Sequence, residues 1–325
     1  MNSATAFRQG IYKSELVRRI TRWLDATPHP PLALEITPER VAAARYSRTG
    51  ALDGYAVEAL PPRAIVASAV ESNIGNAAAV KLAVSNACIR LRAKDEDVAL
   101  ILPDPVIRVF VQHFDEFPRS AQEAEPMLRW KLKKSVPFEV DETLISFMRQ
   151  SPREDGVDIV TALARLRIIR EYEALAESAG LQPGVVLSSS LAAITLLDDH
   201  RPTLLARVSA NSLTTAIVRE GILCGYRCTE LPAQGDDLTP QMLLEEIYPV
   251  AAFYQDTWRE GVQAVCLTGL GTRLPEFIPP FEEEFKCQVG SLLHAAISGG
   301  RVHDDVRPLA DRELEGLVGW TMNRG

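Results

Sequence analysis

The chain has 325 residues, of which 46% are hydrophobic and 24% charged, and its net charge is −8. That is the composition of a globular protein of about two domains, and the acidic balance argues against broad nucleic-acid binding, which needs a basic face to neutralise phosphates. No apolar run reaches the roughly 18 residues of a membrane-spanning helix, and the N-terminus carries no apolar core of a secretory signal.

Residues 11–26 predict an amphipathic helix, with Tyr12, Leu16, Ile20, Trp23 and Leu24 on one face and Lys13, Arg18, Arg19 and Arg22 mostly on the other. The run Thr27-Pro28-His29-Pro30 ends it, because proline cannot continue a helix. The arm 1–30 has two readings: its basic face and Trp23 suit an anionic membrane surface, and its apolar face suits packing on the body of the first lobe. Glu15 and Asp25 dilute its charge.

A first lobe over 31–200 opens with three β-type runs at 32–36, 41–46 and 55–60, punctuated by Gly50 and Gly54. A helix over 76–92 repeats Val80, Val84 and Cys88 on one face, and 98–102 reads as a buried strand. A sub-block at about 103–164 carries a strand at 106–110, a polar helix at 121–134 and two strands at 143–148 and 158–163. A helix at 167–179, stopped by Gly180, and a strand at 185–188 complete the lobe.

A second lobe over 201–325 restarts the order. Strands are predicted at 204–208, 213–218 and 222–228, with Gly221 at a turn, then a helix at 242–258, a strand at 264–268 and a helix at 275–285. A last helix carries Leu309, Leu314, Leu317 and Val318. The repeated β-β-β-α-β order predicts a duplicated α/β fold with mixed sheets and a cleft between lobes.

The two opening hairpins set Leu34-Glu35-Ile36-Thr37-Pro38-Glu39-Arg40-Val41 against Ala206-Arg207-Val208-Ser209-Ala210-Asn211-Ser212-Leu213. Five scattered cysteines fit a reducing compartment. Cys224 and Cys228 are four apart on a predicted strand, which places both on one face, but no further ligand has metal-site spacing. None of the five histidines, His29, His113, His200, His294 and His303, shares i,i+4 spacing with another. Ser188-Ser189-Ser190 reads as the cap of a helix at 191–197, since no histidine with a positioned carboxylate is signalled nearby.

Three stretches carry a family resemblance: Met127-Leu128-Arg129-Trp130-Lys131-Leu132-Lys133-Lys134-Ser135-Val136-Pro137-Phe138, Ala179-Gly180-Leu181-Gln182-Pro183, and Leu267-Thr268-Gly269-Leu270-Gly271-Thr272-Arg273-Leu274-Pro275. With the duplicated meander they resemble the actin-like ATPase superfamily. Within it the chain is similar to the PilM-like proteins of type IV pilus assembly, with the GspL cytoplasmic domain of type II secretion and FtsA as relatives. The resemblance spans about 31–322. It implies an actin-like ATPase fold of two duplicated RNase H-like lobes, a subdomain inserted in lobe one, and a truncated upper subdomain in lobe two. The truncation follows from the short stretch between Leu231 and Met242.

In this superfamily each hairpin tip normally carries an Asp followed two residues later by Gly, for magnesium and for close approach of phosphates. Here the matching positions are Glu35 and Thr37, then Arg207 and Ser209. The adenosine motif keeps Gly269 and Gly271 around Leu270, whose side chain is placed to fill the adenine space. These six degenerate positions imply no catalytic residue, no metal and no resident cofactor; Mg-ATP binding is disfavoured, and an active ATPase is the alternative. A sugar-kinase reading needs a catalytic Asp where Arg207 stands. If the tips face each other, Glu35 and Arg207 pair across the space of the missing metal, and the alternative is that each projects into solvent.

The resemblance further implies a cytoplasmic protein peripheral to the inner membrane, a scaffold of a type IV pilus or type II secretion platform. Its partner would be the cytoplasmic tail of a PilN-type membrane protein, with other platform proteins as further partners and no nucleic acid. The tail is expected in a groove of lobe one at the border of the sub-block, with Trp130, Val136, Pro137 and Phe138 as candidate contacts or as core residues. A membrane-associated FtsA-like filament protein is a further alternative.

Overall fold

The structure is a computed structural model that describes residues 30–322 apart from 48–50, 95, 154, 155, 199, 303 and 311; of 151–153, 321 and 322 it describes the backbone alone. The amphipathic stretch at 11–26 lies outside the described residues.

The first lobe begins with an antiparallel meander, β1 (Leu32–Ile36), β2 (Arg40–Tyr46) and β3 (Leu52–Ala59). Helix α1 (Ala77–Leu91) follows, its first turn capped by the Asn76 side chain and its end by Arg92 in the left-handed conformation. Strand β4 (Asp97–Leu102) then enters beside β1 in parallel. Both strands are buried on successive residues, Glu35 included, because both of their faces are covered.

The sub-block contains β5 (Arg108–Phe114), α2 (Ala121–Leu132), β6 (Thr143–Arg153) and β7 (Gly156–Arg165), its strands forming a separate sheet in the order β5-β7-β6. Helix α3 (Leu166–Glu177) and β8 (Gln182–Ser188) return the chain to the first sheet, whose order is β3-β2-β1-β4-β8. A short helix α4 (Ser189–Ala193) leads towards lobe two.

Lobe two repeats the plan with β9 (Thr203–Ser209), β10 (Ser212–Arg219), β11 (Ile222–Glu230), α5 (Pro240–Trp258) and β12 (Ala264–Thr268). Then come α6 (Leu274–Phe285), β13 (Gln288–Ser291) and α7 (Leu292–Ser298), giving the sheet order β11-β10-β9-β12-β13. Residues 231–239 are all that separates β11 from α5, and a single 3₁₀ turn occupies Gly235–Asp237. The turn at Gly221 has φ +74°, which glycine adopts without strain.

Three features depart from the sequence expectation. Strand β13 and helix α7 were not anticipated, because Gln-Val-Gly-Ser has only Val289 directed into the core and therefore no apolar run. The single last helix is instead two, α8 (Arg307–Ala310) and α9 (Glu315–Met322), separated at Glu313, where φ is +52°. Helix α9 leaves lobe two and packs on α4 and β1: Leu317, Val318 and Trp320 are buried in the core that holds β1 and β4. Gly319 permits this approach, since a Cβ there would lie 2.1 Å from the Ala192 carbonyl oxygen.

The third departure concerns the cysteines. A bulge in β11, where Ile217 faces Gly225 and Val218 faces Leu223, leaves Cys224 as an extra residue. The alternation is broken, so Cys224 packs into the lobe-two core while Cys228 lies near Asp104 and Thr214. The two thiols are therefore not on one face. Gln150 of β6 stands at the bulge, its side-chain amide donating to the Leu223 carbonyl at 2.9 Å and accepting from the Leu223 N–H at 2.7 Å.

Candidate functional site

The two hairpins bring their charges together between the lobes. Arg207, on β9, has Nη2 3.4 Å from Glu35 Oε1 and Nη1 3.5 Å from Asp104 Oδ2. All three are buried, with exposures of 4%, 0% and 1% respectively. The reading in which Glu35 and Arg207 project separately into solvent does not describe the structure.

Asp104 comes from a 3₁₀ turn, Asp104–Val106, that directly follows β4 and Pro103. Its carboxylate accepts from the Ser190 N–H at 2.8 Å, the Ser190 hydroxyl at 2.5 Å, the Thr214 hydroxyl at 2.9 Å and the Tyr226 hydroxyl at 3.4 Å. Glu35 accepts from the Ser189 hydroxyl at 2.8 Å. Glu35 Oε2 and Arg207 Nε have no hydrogen-bond partner among the described residues. The serine run thus does more than cap α4: Ser188 accepts from the Leu191 N–H at 3.3 Å, while Ser189 and Ser190 each hold a carboxylate of the cluster.

The C-terminal segment closes the other side. Glu315, buried at the start of α9, accepts a hydrogen bond from the Thr268 hydroxyl at the end of β12. Gly316 lies directly on Glu35, where a Cβ would be 2.5 Å from Glu35 Oε1. Arg40 of β2 donates to the Arg312 carbonyl at 2.9 Å and the Glu313 carbonyl at 2.5 Å, and the Glu313 carboxylate accepts from the Gly271 N–H at 2.9 Å.

Burial pushes the Glu35 carboxyl above its ordinary pKa, and the positive charges of Arg207 and Arg40 only partly offset this. Burial alone would pull the Arg207 guanidinium down. Asp104, Glu35 and Glu315 together outweigh that and hold it above its ordinary value, so it stays charged. Tyr226 is held neutral by burial and by Asp104.

The remaining motif positions behave differently from one another. The Thr37 N–H and hydroxyl both donate to the Arg40 carbonyl, at 2.9 and 3.2 Å, so this tip is bonded to itself. Ser209 accepts from the Ser212 hydroxyl at 2.8 Å, and the left-handed residue of that tip is Ala210. Gly269 has φ +80°, and a Cβ there would lie 1.8 Å from the Val208 carbonyl oxygen, so the turn after β12 requires glycine whatever it binds. Leu270 packs on the lobe-two core.

Sequence reasoning did not single out Asp104, Tyr226, Thr214 or Glu315. A signal for Asp104 was present: it is a carboxylate placed between two prolines at the carboxyl end of a buried strand, where open α/β sheets gather functional groups. Among the described residues no group of three or more His, Cys, Asp or Glu side chains has the arrangement to hold a metal ion.

A second feature lies beside the first sheet. A groove of about 270 Å³ runs between β8 and the sub-block, lined by Leu144 of β6, Ala162 of β7, Ile169 of α3, Val186 and Leu187 of β8, and Leu191. Strand β8 is the outer strand of its sheet and β6 the outer strand of the other, so each has an edge unpaired among the described residues. Trp130, Val136, Pro137 and Phe138 do not line this groove, and they do not form one face. Trp130 is 79% exposed beside Arg129 and Lys133, Pro137 lines a separate slot with Phe110 and Cys228, Phe138 lies under the Arg165 guanidinium, and Val136 is half-buried.

No protein-family model and no curated protein matches the sequence. Among solved structures, a chain of the PilM–PilN type IV pilus biogenesis complex is similar, with a TM-score of 0.68 at 18% identity over 91% of this chain and 98% of that one. The cytoplasmic domain of EpsL, an inner membrane component of the type II secretion system of Vibrio cholerae, aligns over 73% of this chain and 80% of its own, with a TM-score of 0.46 and 11% identity. A Bacteroides thetaiotaomicron protein with an actin-like ATPase fold and unknown function aligns over 88% and 97%, with a TM-score of 0.45 and 9% identity. Its duplicated lobes and its similarity to the pilus complex give this chain the actin-like ATPase fold.

Proposed function

We propose that this protein is a non-catalytic scaffold of a type IV pilus or type II secretion platform at the inner membrane, and that it binds the cytoplasmic tail of a PilN-type protein. The observation that carries the loss of catalysis is Arg207, a buried cation set between Glu35 and Asp104 where the fold's relatives need carboxylates turned to a metal. A magnesium nucleotide does not fit these residues. Asp104 is fully engaged by Ser190, Thr214, Tyr226 and Arg207, and Gly316 lies against Glu35. The Gly271 N–H, which would face an anionic ligand, is taken by Glu313.

The groove supports the partner. An extended peptide laid between two unpaired strand edges gains backbone hydrogen bonds, while alternate side chains fill apolar pockets. Leu144, 47% exposed on β6, and Val186 on β8 line opposite walls of that space.

Two measurements test the proposal. Calorimetry with Mg-ATP and Mg-ADP is expected to show no heat of binding, and micromolar affinity for either would favour an active ATPase. A fluorescent peptide of the partner's tail is expected to bind the wild-type chain and to lose at least tenfold in affinity on Leu144→Asp, with Trp130→Ala unchanged. Equal binding by wild type and Leu144→Asp would remove the groove from the proposal.

A further inference from the structure

Eight large hydrophobic side chains are exposed among the described residues, and five of them lie on two helices: Leu82 and Ile89 on α1, and Met242, Tyr248 and Phe253 on α5. These helices occupy the same position in the two repeats, each following the third strand of its meander. Leu82 and Ile89 are seven residues apart and share a face of α1, with 63% and 73% of their surface exposed. Met242 and Phe253, eleven residues apart, share a face of α5, while Tyr248 is exposed on the helix's other flank.

The charges around the two faces are opposite. Lys81 and Arg92 are exposed on and at the end of α1, with Arg90 next to Ile89, its guanidinium 3.1 Å from Glu58. On α5 the exposed charges are Glu245 and Asp256, with the half-exposed Glu246 and with Arg259 exposed at the helix end, so the balance there is acidic. An α1–α1 contact would set basic groups against their own copies, and an α5–α5 contact would set acidic groups against theirs. An α1–α5 contact buries both apolar stripes and pairs the rims.

We infer that α1 of one copy docks on α5 of a second copy of this chain, an association separate from the partner-tail groove. The two docking faces are different surfaces of one molecule, so the contact is heterologous and repeats from copy to copy, giving a ring or an open polar chain instead of a closed two-fold dimer. The rim charges make it weaken as salt rises.

Sedimentation velocity of the full chain tests this. The wild type is expected to gain mass with concentration and to lose it in high salt. Leu82→Asp with Ile89→Asp in one variant, and Met242→Asp with Phe253→Asp in another, should each sediment as monomers. An equimolar mixture of the two should form a dimer and nothing larger, because each variant keeps one intact face. The exposed positions make both variants expected to fold, which circular dichroism checks. As a second route, Lys81→Glu or Glu245→Lys alone should weaken association, and both changes in one chain should restore it. A wild type that stays monomeric at every concentration, a single variant that still associates, or a mixture that stays monomeric would each overturn the inference.

Discussion

Replacing Arg207 with methionine keeps much of the side-chain volume and removes the guanidinium that Glu35 and Asp104 both face. The loss is not shared equally. Asp104 retains the Ser190 N–H and three hydroxyl donors, whereas Glu35 retains only the Ser189 hydroxyl. Removing one partner of a buried pair costs about 3–5 kcal/mol. Glu35 already has a raised pKa and can take up a proton, which places the expected loss near the lower end, about 3 kcal/mol. Glu35→Gln alone leaves Arg207 with Asp104 and is expected to cost about 1–2 kcal/mol. In the double variant Arg207→Met with Glu35→Gln no carboxylate is stranded at position 35, so the combined loss falls short of the sum by at least about 1 kcal/mol. Urea unfolding followed by circular dichroism, run as a double-mutant cycle, measures each quantity. A loss below about 1 kcal/mol for Arg207→Met, or additivity within about 0.5 kcal/mol, would refute the clasp as a linked network.

Further outcomes follow from the same geometry. Because the folded Glu35 carboxyl has a pKa above its ordinary 4.5, the folded chain holds a proton that the unfolded chain releases, so this group's contribution is full below pH 4.5 and is lost as pH rises through the folded value. Unfolding free energies measured across that range should shift in favour of Glu35→Gln over wild type as pH rises, and parallel curves would contradict the burial effect. Gly319→Ala puts a Cβ 2.1 Å from the Ala192 carbonyl oxygen, and the forced separation of α9 from α4 should cost about 1–3 kcal/mol in a thermal melt. Gly261→Ala, with no atom within 4 Å of the new Cβ, is the control expected to stay near zero. Gln150→Ala strands the buried N–H and carbonyl of Leu223, with an expected loss of about 1–3 kcal/mol by chemical denaturation.

The meander strands were legible in the sequence because both faces of β1 and β9 are covered, so each is a short, mostly apolar run, interrupted by Glu35 and by Arg207. The helices α1 and α5 were legible from their 3.6-residue period, and the replacement of the second hairpin's carboxylate by Arg207 could be read directly from the repeat. What remained hidden depends on contacts between distant segments. Asp104 meets Arg207 across 103 positions, and Glu315 meets Thr268 across 47, so no local pattern announces either. The bulge at Cys224 is likewise set from outside its own strand, where Gln150 engages the Leu223 backbone. Trp130 lies on α2 and Phe138 beyond its end, and the turn between them sets their directions independently, which sequence adjacency does not fix.

The placement of α9 has a consequence for the order in which the molecule completes itself during synthesis. The core around α5 and α6 draws on residues 204–289, one continuous stretch of chain. The core around β1 and β4 draws on residues 32–44 and also on Leu309, Leu317, Val318 and Trp320. Trp320 donates its indole N–H to the Pro30 carbonyl at 3.4 Å, closing the two ends of that core on each other. The half of the protein made first must therefore wait, with apolar surface uncovered, for residues made more than two hundred positions later, and for the lobe-two residues Leu205, Ala216, Val218 and Cys266 that are buried in the same core. During vectorial synthesis the first strands out of the ribosome are thus the ones that wait longest for cover, until α9 arrives.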